Sequence, residues 1–157
     1  MTEGQPSAAL PHRAARAQEA AHPRRAARRR LELFTTHGYE ETTVDEIADA
    51  VEVSQRTFFR YFAGKEAAVF AVQDMVESHF LSELRQRPAD EAPFEAMRRG
   101  VLCAWDSIGQ TVEAIIPVEL HMRAYRMIES TPSLLAAHLR RSIVLENQIT
   151  ELIAARE

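Results

Sequence analysis

Residues 43–62 read TVDEIADAVEVSQRTFFRYF, and this stretch decides the fold. Thr43-Val44-Asp45-Glu46 has the T-x-x-E form of a capping box. In that pattern a hydroxyl and a carboxylate each satisfy a backbone N–H that the first helical turn leaves unpaired. The helix it opens runs to about Ala50, with Val44, Ile47, Ala48 and Val51 on its apolar side. Glu52 and Val53 follow, and then Ser54, a good N-cap for a second short helix through Gln55-Arg56-Thr57-Phe58-Phe59-Arg60-Tyr61-Phe62. Two short capped helices joined by about three residues read as a helix-turn-helix.

Working outward, the flanking segments supply partners for that pair. Pro23 suits the first turn of a helix, Ala27, Leu31 and Phe34 follow at helical spacing, and Gly38 sits where a C-terminal cap belongs. This predicts a first helix over about 24–37. Gly64 stops the short helix, and Lys65-Glu66 opens a long one to about Arg85, striped by Val69, Val72, Val76 and Phe80. Phe94, Met97, Val101, Trp105 and Ile108 mark a fifth helix ending near Gly109. A sixth passes through Ile115, Ile116, Leu120, Met122 and Ile128, started or kinked by Pro117. Thr131-Pro132 opens a seventh to the end of the chain. No strand-like alternation is present, so the expected class is all-α. Residues 23–70 are expected to form a three-helix helix-turn-helix domain, and residues 71–157 a second helical domain. Residues 1–22 read as a flexible basic arm.

A net charge of −4 looks unfavourable for nucleic acid, yet its distribution reverses that impression. Residues 1–31 carry seven Arg against Glu3 and Glu19, and residues 32–52 carry seven acids with no Lys or Arg. Residues 53–65 are positive again through Arg56, Arg60 and Lys65, with no acid among them. Local fields govern binding more than the total does. In a helix-turn-helix the second helix enters the major groove and its N-terminal side chains meet base edges. Here these are Ser54, Gln55, Arg56 and Thr57. Gln pairs bidentately with adenine, and Arg with O6 and N7 of guanine. Lys65, at a helix start, can approach a phosphate by both its side chain and the free backbone amides. Phe58 and Phe62, four residues apart, are expected in the three-helix core.

The run from Arg25 to Val72 resembles the N-terminal DNA-binding domain of the TetR family of bacterial transcriptional regulators. The resemblance lies in F-x-x-H-G-Y-x-x-T-T-V-x-x-I-A and V-S-x-x-T-F-F-R-Y-F-x-x-K-E, and covers about a third of the chain. It implies a homodimeric repressor that binds a near-palindromic operator on double-stranded DNA and is released by a small apolar ligand. Residue by residue it implies phosphate contacts at Thr43, Tyr61 and Lys65 and base reading at Gln55, Arg56 and Thr57. Two positions depart from the pattern: Glu52 stands where the family has Gly in the turn, and Phe59 where many members have Tyr. A non-Gly residue in the left-handed region costs roughly 1–2 kcal/mol, so the turn differs or the chain bears that strain. The family usually carries two more helices that build the dimer interface. The expectation for this chain is a truncation, or dimerisation through its sixth and seventh helices.

For the effector, Trp105, His121, Met122 and Tyr125 are the available mixture of apolar and polar groups. Met127-Ile128-x-x-Thr131-Pro132-Ser133-Leu134-Leu135-Ala136 is similar to the C-terminal domain of mycofactocin-linked regulators, which implies an acyl-CoA ligand. No enzyme, cofactor or metal is expected: the six His show no H-E-x-x-H or Cys–His spacing, and no phosphate-cradling glycine loop or nucleophile elbow occurs. Cys103 is expected to be packed and inert. A single cysteine, no apolar run approaching 18 residues and no secretory signal point to a cytoplasmic protein without a membrane partner. The competing reading is an all-helical protein-interaction module whose helix-turn-helix no longer binds DNA, suggested by Glu52, the acidic segment 32–52 and the short C-terminus.

Overall fold

The computed structural model describes residues 23–156, and the expected arm at 1–22 lies outside them. The described chain is all-α: α1 (Pro23–His37), α2 (Val44–Ala50), α3 (Gln55–Tyr61), α4 (Lys65–Gln86), α5 (Pro93–Ile115), α6 (Val118–Ser130) and α7 (Pro132–Ala154). α1 packs on α2, α4, α5 and α6, and α4 lies along α5 while also meeting α7.

Local chemistry sets most helix ends. Thr43 and Glu46 form the full capping box, with Glu46 N–H donating to Thr43 Oγ1 (3.2 Å) and Thr43 N–H donating to Glu46 Oε2 (2.8 Å). These bonds to Thr43 hold the Glu46 carboxyl below its usual range. Ser54 Oγ accepts from Thr57 N–H at 3.1 Å and starts α3. Gly38 ends α1 at φ +92°, where a side chain would be strained, and its N–H donates to Phe34 O at 2.9 Å.

The turn between α2 and α3 keeps the left-handed residue despite the missing glycine: Glu52 has φ +57°. Glu52 therefore does not divert the chain, which removes one support of the interaction-module reading. Arg29 braces the turn, donating to Ala50 O at 3.3 Å and lying 3.6 Å from the Glu52 carboxylate. Glu52→Gly is expected to raise stability by about 0.5–1 kcal/mol. The relief of left-handed strain exceeds the extra chain entropy of glycine and the small worth of a half-exposed ion pair. A urea midpoint at or below the parent's would refute this.

One hydrophobic core joins the first three helices to the last two. Phe34, Ile47, Phe58 and Phe70 are fully buried and share a cluster with Ile128, Leu134 and Ala137 of α6 and α7. Ser133 Oγ of α7 also donates to Glu40 Oε1 of the α1–α2 loop at 2.9 Å.

The second half departs from expectation in three places. α5 continues through Gly109 to Ile115, because one interior glycine costs a helix only about 1 kcal/mol. The break comes instead at Pro117, which precedes the first turn of α6 and lacks the N–H that would continue α5. α5 also buries a different face. Ala96, Gly100, Ala104 and Ile108 turn inward, whereas Phe94 (80% exposed), Val101, Leu102 and Trp105 (75% exposed) turn outward. The physical reason is close approach: a Cβ on Gly100 would already lie 3.6–3.7 Å from Leu84 of α4, so small residues line the contact. Cys103 follows the outward face and is exposed rather than packed.

Candidate nucleic-acid interface

α3 is a seven-residue helix with one buried side chain. Phe58 is buried (1% exposed), with Phe62 tilted against it at 5.2 Å and Phe59 edge-on at 5.4 Å. This packing leaves Gln55, Arg56, Phe59, Arg60 and Tyr61 exposed and Thr57 half-buried. Arg56, Thr57, Phe59 and Arg60 line an open concavity on this face. Neither Arg56 nor Arg60 has a carboxylate partner among the described residues, although the Arg60 guanidinium lies 5.4 Å from the Tyr61 ring centroid. An unneutralised pair of exposed arginines suits phosphate oxygens and guanine edges.

The remaining expected contacts are more engaged than the sequence suggests. The Thr43 hydroxyl serves the capping box, accepting from Glu46 N–H and donating to Glu46 Oε2 at 2.9 Å. The Ser54 hydroxyl serves the α3 cap and lies 2.9 Å from Thr57 Oγ1. Gln55 Nε2 donates to Asp45 Oδ1 of α2 at 2.8 Å.

Lys65 takes a different part from the one its place at a helix start implied. Its ammonium donates to Tyr39 O (2.9 Å), Glu40 O (3.2 Å) and Thr42 O (3.2 Å), and lies 4.6 Å from the Tyr39 ring centroid. An ammonium has three protons, so these carbonyls account for all of them. The Lys65 side chain ties down the α1–α2 loop, and the amides of the first turn of α4 are what remains to meet a phosphate.

Nothing in the sequence distinguishes Arg30 from its neighbours in the arginine-rich run 24–30. The structure buries it (7% exposed), with its guanidinium 4.7 Å from the Phe62 ring centroid and its Nε without a partner. Burial lowers its pKa to about 10. At neutral pH the group is charged and bears the whole desolvation cost, which is relieved only as pH climbs through that value. Arg30→Met keeps the contact with Phe62 and removes the charge. Its unfolding free energy is expected to be unchanged or raised by about 1–2 kcal/mol. A loss of more than about 1 kcal/mol in urea denaturation would show that the guanidinium is net stabilising.

The four expected ligand contacts all lie at the surface of the described chain. Trp105 is 75% exposed, Met122 46% and Tyr125 41%, and His121 is exposed as well. Tyr125 meets the His138 ring edge-on at 5.9 Å. None of the four lines the open groove between α4 and α7, whose walls include Asp74, Glu77, Arg140, Arg141, Val144 and Leu145. Helical spacing alone could not tell an outward apolar stripe from an inward one. Among the described residues no group of three or more His, Cys, Asp or Glu is placed to hold a metal ion, and no helix is long and apolar enough to cross a membrane.

Against known proteins, residues 30–72 match the family model described as bacterial regulatory proteins, tetR family. The HTH-type transcriptional regulator TcmR of Streptomyces glaucescens is 43% identical over 130 residues, 83% of this chain and 58% of TcmR. The HTH-type transcriptional regulator EthR of Mycolicibacterium smegmatis is 33% identical over 81 residues, 49% of this chain and 36% of EthR. A protein assigned as the mycofactocin biosynthesis transcriptional regulator MftR of Mycobacterium tuberculosis is 49% identical over 37 residues, 24% of this chain and 19% of MftR. The matched stretch thus spans less than two thirds of each relative.

Proposed function

We propose that the chain, whose residues 30–72 match the family model of bacterial regulatory proteins, tetR family, is a TetR-type DNA-binding transcriptional repressor. It acts in the cytoplasm as a homodimer on a near-palindromic operator. The observation that carries this reading is the outer face of α3. Two arginines without acidic partners and a glutamine stand on a helix whose own capping needs are met internally and whose Phe58 fixes it to the core. Such a helix can enter a major groove without rearrangement. The similarity to TcmR over 130 residues supports the same reading, as does the retained left-handed turn at Glu52.

The family is one of regulatory proteins, and the chain is read as a binding protein with no catalytic step. Its effector is proposed to be a ligand with an apolar acyl chain, of acyl-CoA type, supported by the Met127–Ala136 segment and the short MftR match. That segment forms the α6–α7 joint, and its Ile128 and Leu134 are buried in the shared core. The ligand would bias DNA affinity by preferring one arrangement of that joint.

The test is a selection of tight binders from a pool of random duplexes, followed by titration of the winning duplex with and without long-chain acyl-CoA. A recovered two-fold-symmetric sequence is expected, and its release by the acyl-CoA. Failure to enrich any sequence overturns the DNA-binding reading. Enrichment without release removes that effector class.

A further inference from the structure

Resting on the DNA-binding reading above, we propose that Asp45 is a positioning residue that presets Gln55 to read adenine. Gln55 is the first residue of α3, where side chains of a groove-entering helix meet base edges. Its Nε2 donates to Asp45 Oδ1 at 2.8 Å, across the turn from the first turn of α2.

The chemistry of the two groups fixes the orientation of the amide. An ionised carboxylate only accepts hydrogen bonds, whereas a primary amide has one accepting and one donating end. Rotating the Gln55 amide by half a turn would set its carbonyl oxygen against Asp45 Oδ1, acceptor against acceptor. The carboxylate therefore holds the nitrogen inward and takes one of its two protons. What remains is Oε1 beside the second N–H, an adjacent acceptor and donor. This pair complements the N6 amino group and N7 of adenine in the major groove. Without Asp45, both ends of the amide are available in either order, and the ordering entropy falls due on binding.

Asp45 has a second, opposite effect. An exposed carboxylate beside the reading helix repels the phosphate backbone, so it weakens attraction to DNA of any sequence. Removing it should thus tighten binding to random DNA while loosening the choice of base. A residue that merely stabilises α2 would do neither.

The experiment selects binding sites from random duplexes with the full chain, with Asp45→Asn and with Gln55→Ala. Asp45→Asn keeps the shape, but its own amide can face Gln55 either way round. The parent is expected to show one adenine per half-site that Gln55→Ala erases. At that same position Asp45→Asn should lower the preference for adenine by about tenfold, leave the other positions unchanged and bind a scrambled duplex more tightly. An unchanged adenine preference in Asp45→Asn overturns the proposal, as does loss of preference at a position other than the one erased by Gln55→Ala. If the parent enriches nothing, it is the DNA-binding reading that falls, so the two failures are told apart.

Discussion

Replacing Phe70 by Ala is expected to lower the unfolding free energy by about 3–5 kcal/mol, the range for deleting a buried phenyl ring. Phe70 is fully buried at the meeting of α4 with α7. The His138 ring stacks over it at 6.4 Å, and the Arg141 guanidinium, itself paired with Asp74, lies 4.5 Å from its ring centroid. Its cluster runs from Phe34 and Phe58 of the first three helices to Ile128 and Leu134. A cavity there weakens both halves together. Total stabilities are about 5–15 kcal/mol, so the variant should unfold in a single transition at a much lower urea midpoint, with loss of DNA binding at the same concentration. Circular dichroism and duplex binding followed in parallel check this. Two separate transitions, with DNA binding surviving the first, would show that the first three helices are stable without the rest.

The second large effect concerns salt. If α3 and the first turn of α4 meet phosphates in two copies of the chain, about six neutralised phosphates imply a loss of roughly a thousandfold in affinity between 50 and 200 mM salt. The arginines then separate by role. Arg56→Ala should weaken binding to the selected duplex by about 1–3 kcal/mol and relax the choice at one base pair, as expected for a bidentate contact to guanine. Arg60→Ala should weaken all duplexes alike and lower the salt slope by about one per lost contact. Fluorescence anisotropy across a salt series measures both. A flat salt response would contradict a phosphate-binding face, and equal behaviour of the two variants would undo the division of roles.

Much of the fold was legible because its signals are local. The capping box at Thr43 and Glu46, the Ser54 cap, the Gly38 stop and Pro132 in the first turn of α7 each act within about four residues, which is the reach of a helical hydrogen bond. These fixed where α1, α2, α3 and α7 begin or end, and with them the helix-turn-helix. Spacing along α5 is a poorer guide. Large residues weigh heavily in a periodicity, yet Ala96, Gly100 and Ala104 are what let α4 come close.

By itself, then, the sequence determined an all-α chain with a helix-turn-helix and the exposed arginines of α3, since hydrogen bonds between near neighbours and the 3.6-residue repeat need no distant partner. The tertiary structure alone decided which polar groups are free. Lys65 reaches carbonyls 23–26 residues earlier, Arg30 disappears under Phe62, and Gln55 is held by an aspartate ten residues away. It also decided that Trp105 and Cys103 face outward. Burial and pairing of this kind depend on which surfaces meet after the helices have formed, and a one-dimensional pattern does not contain that information.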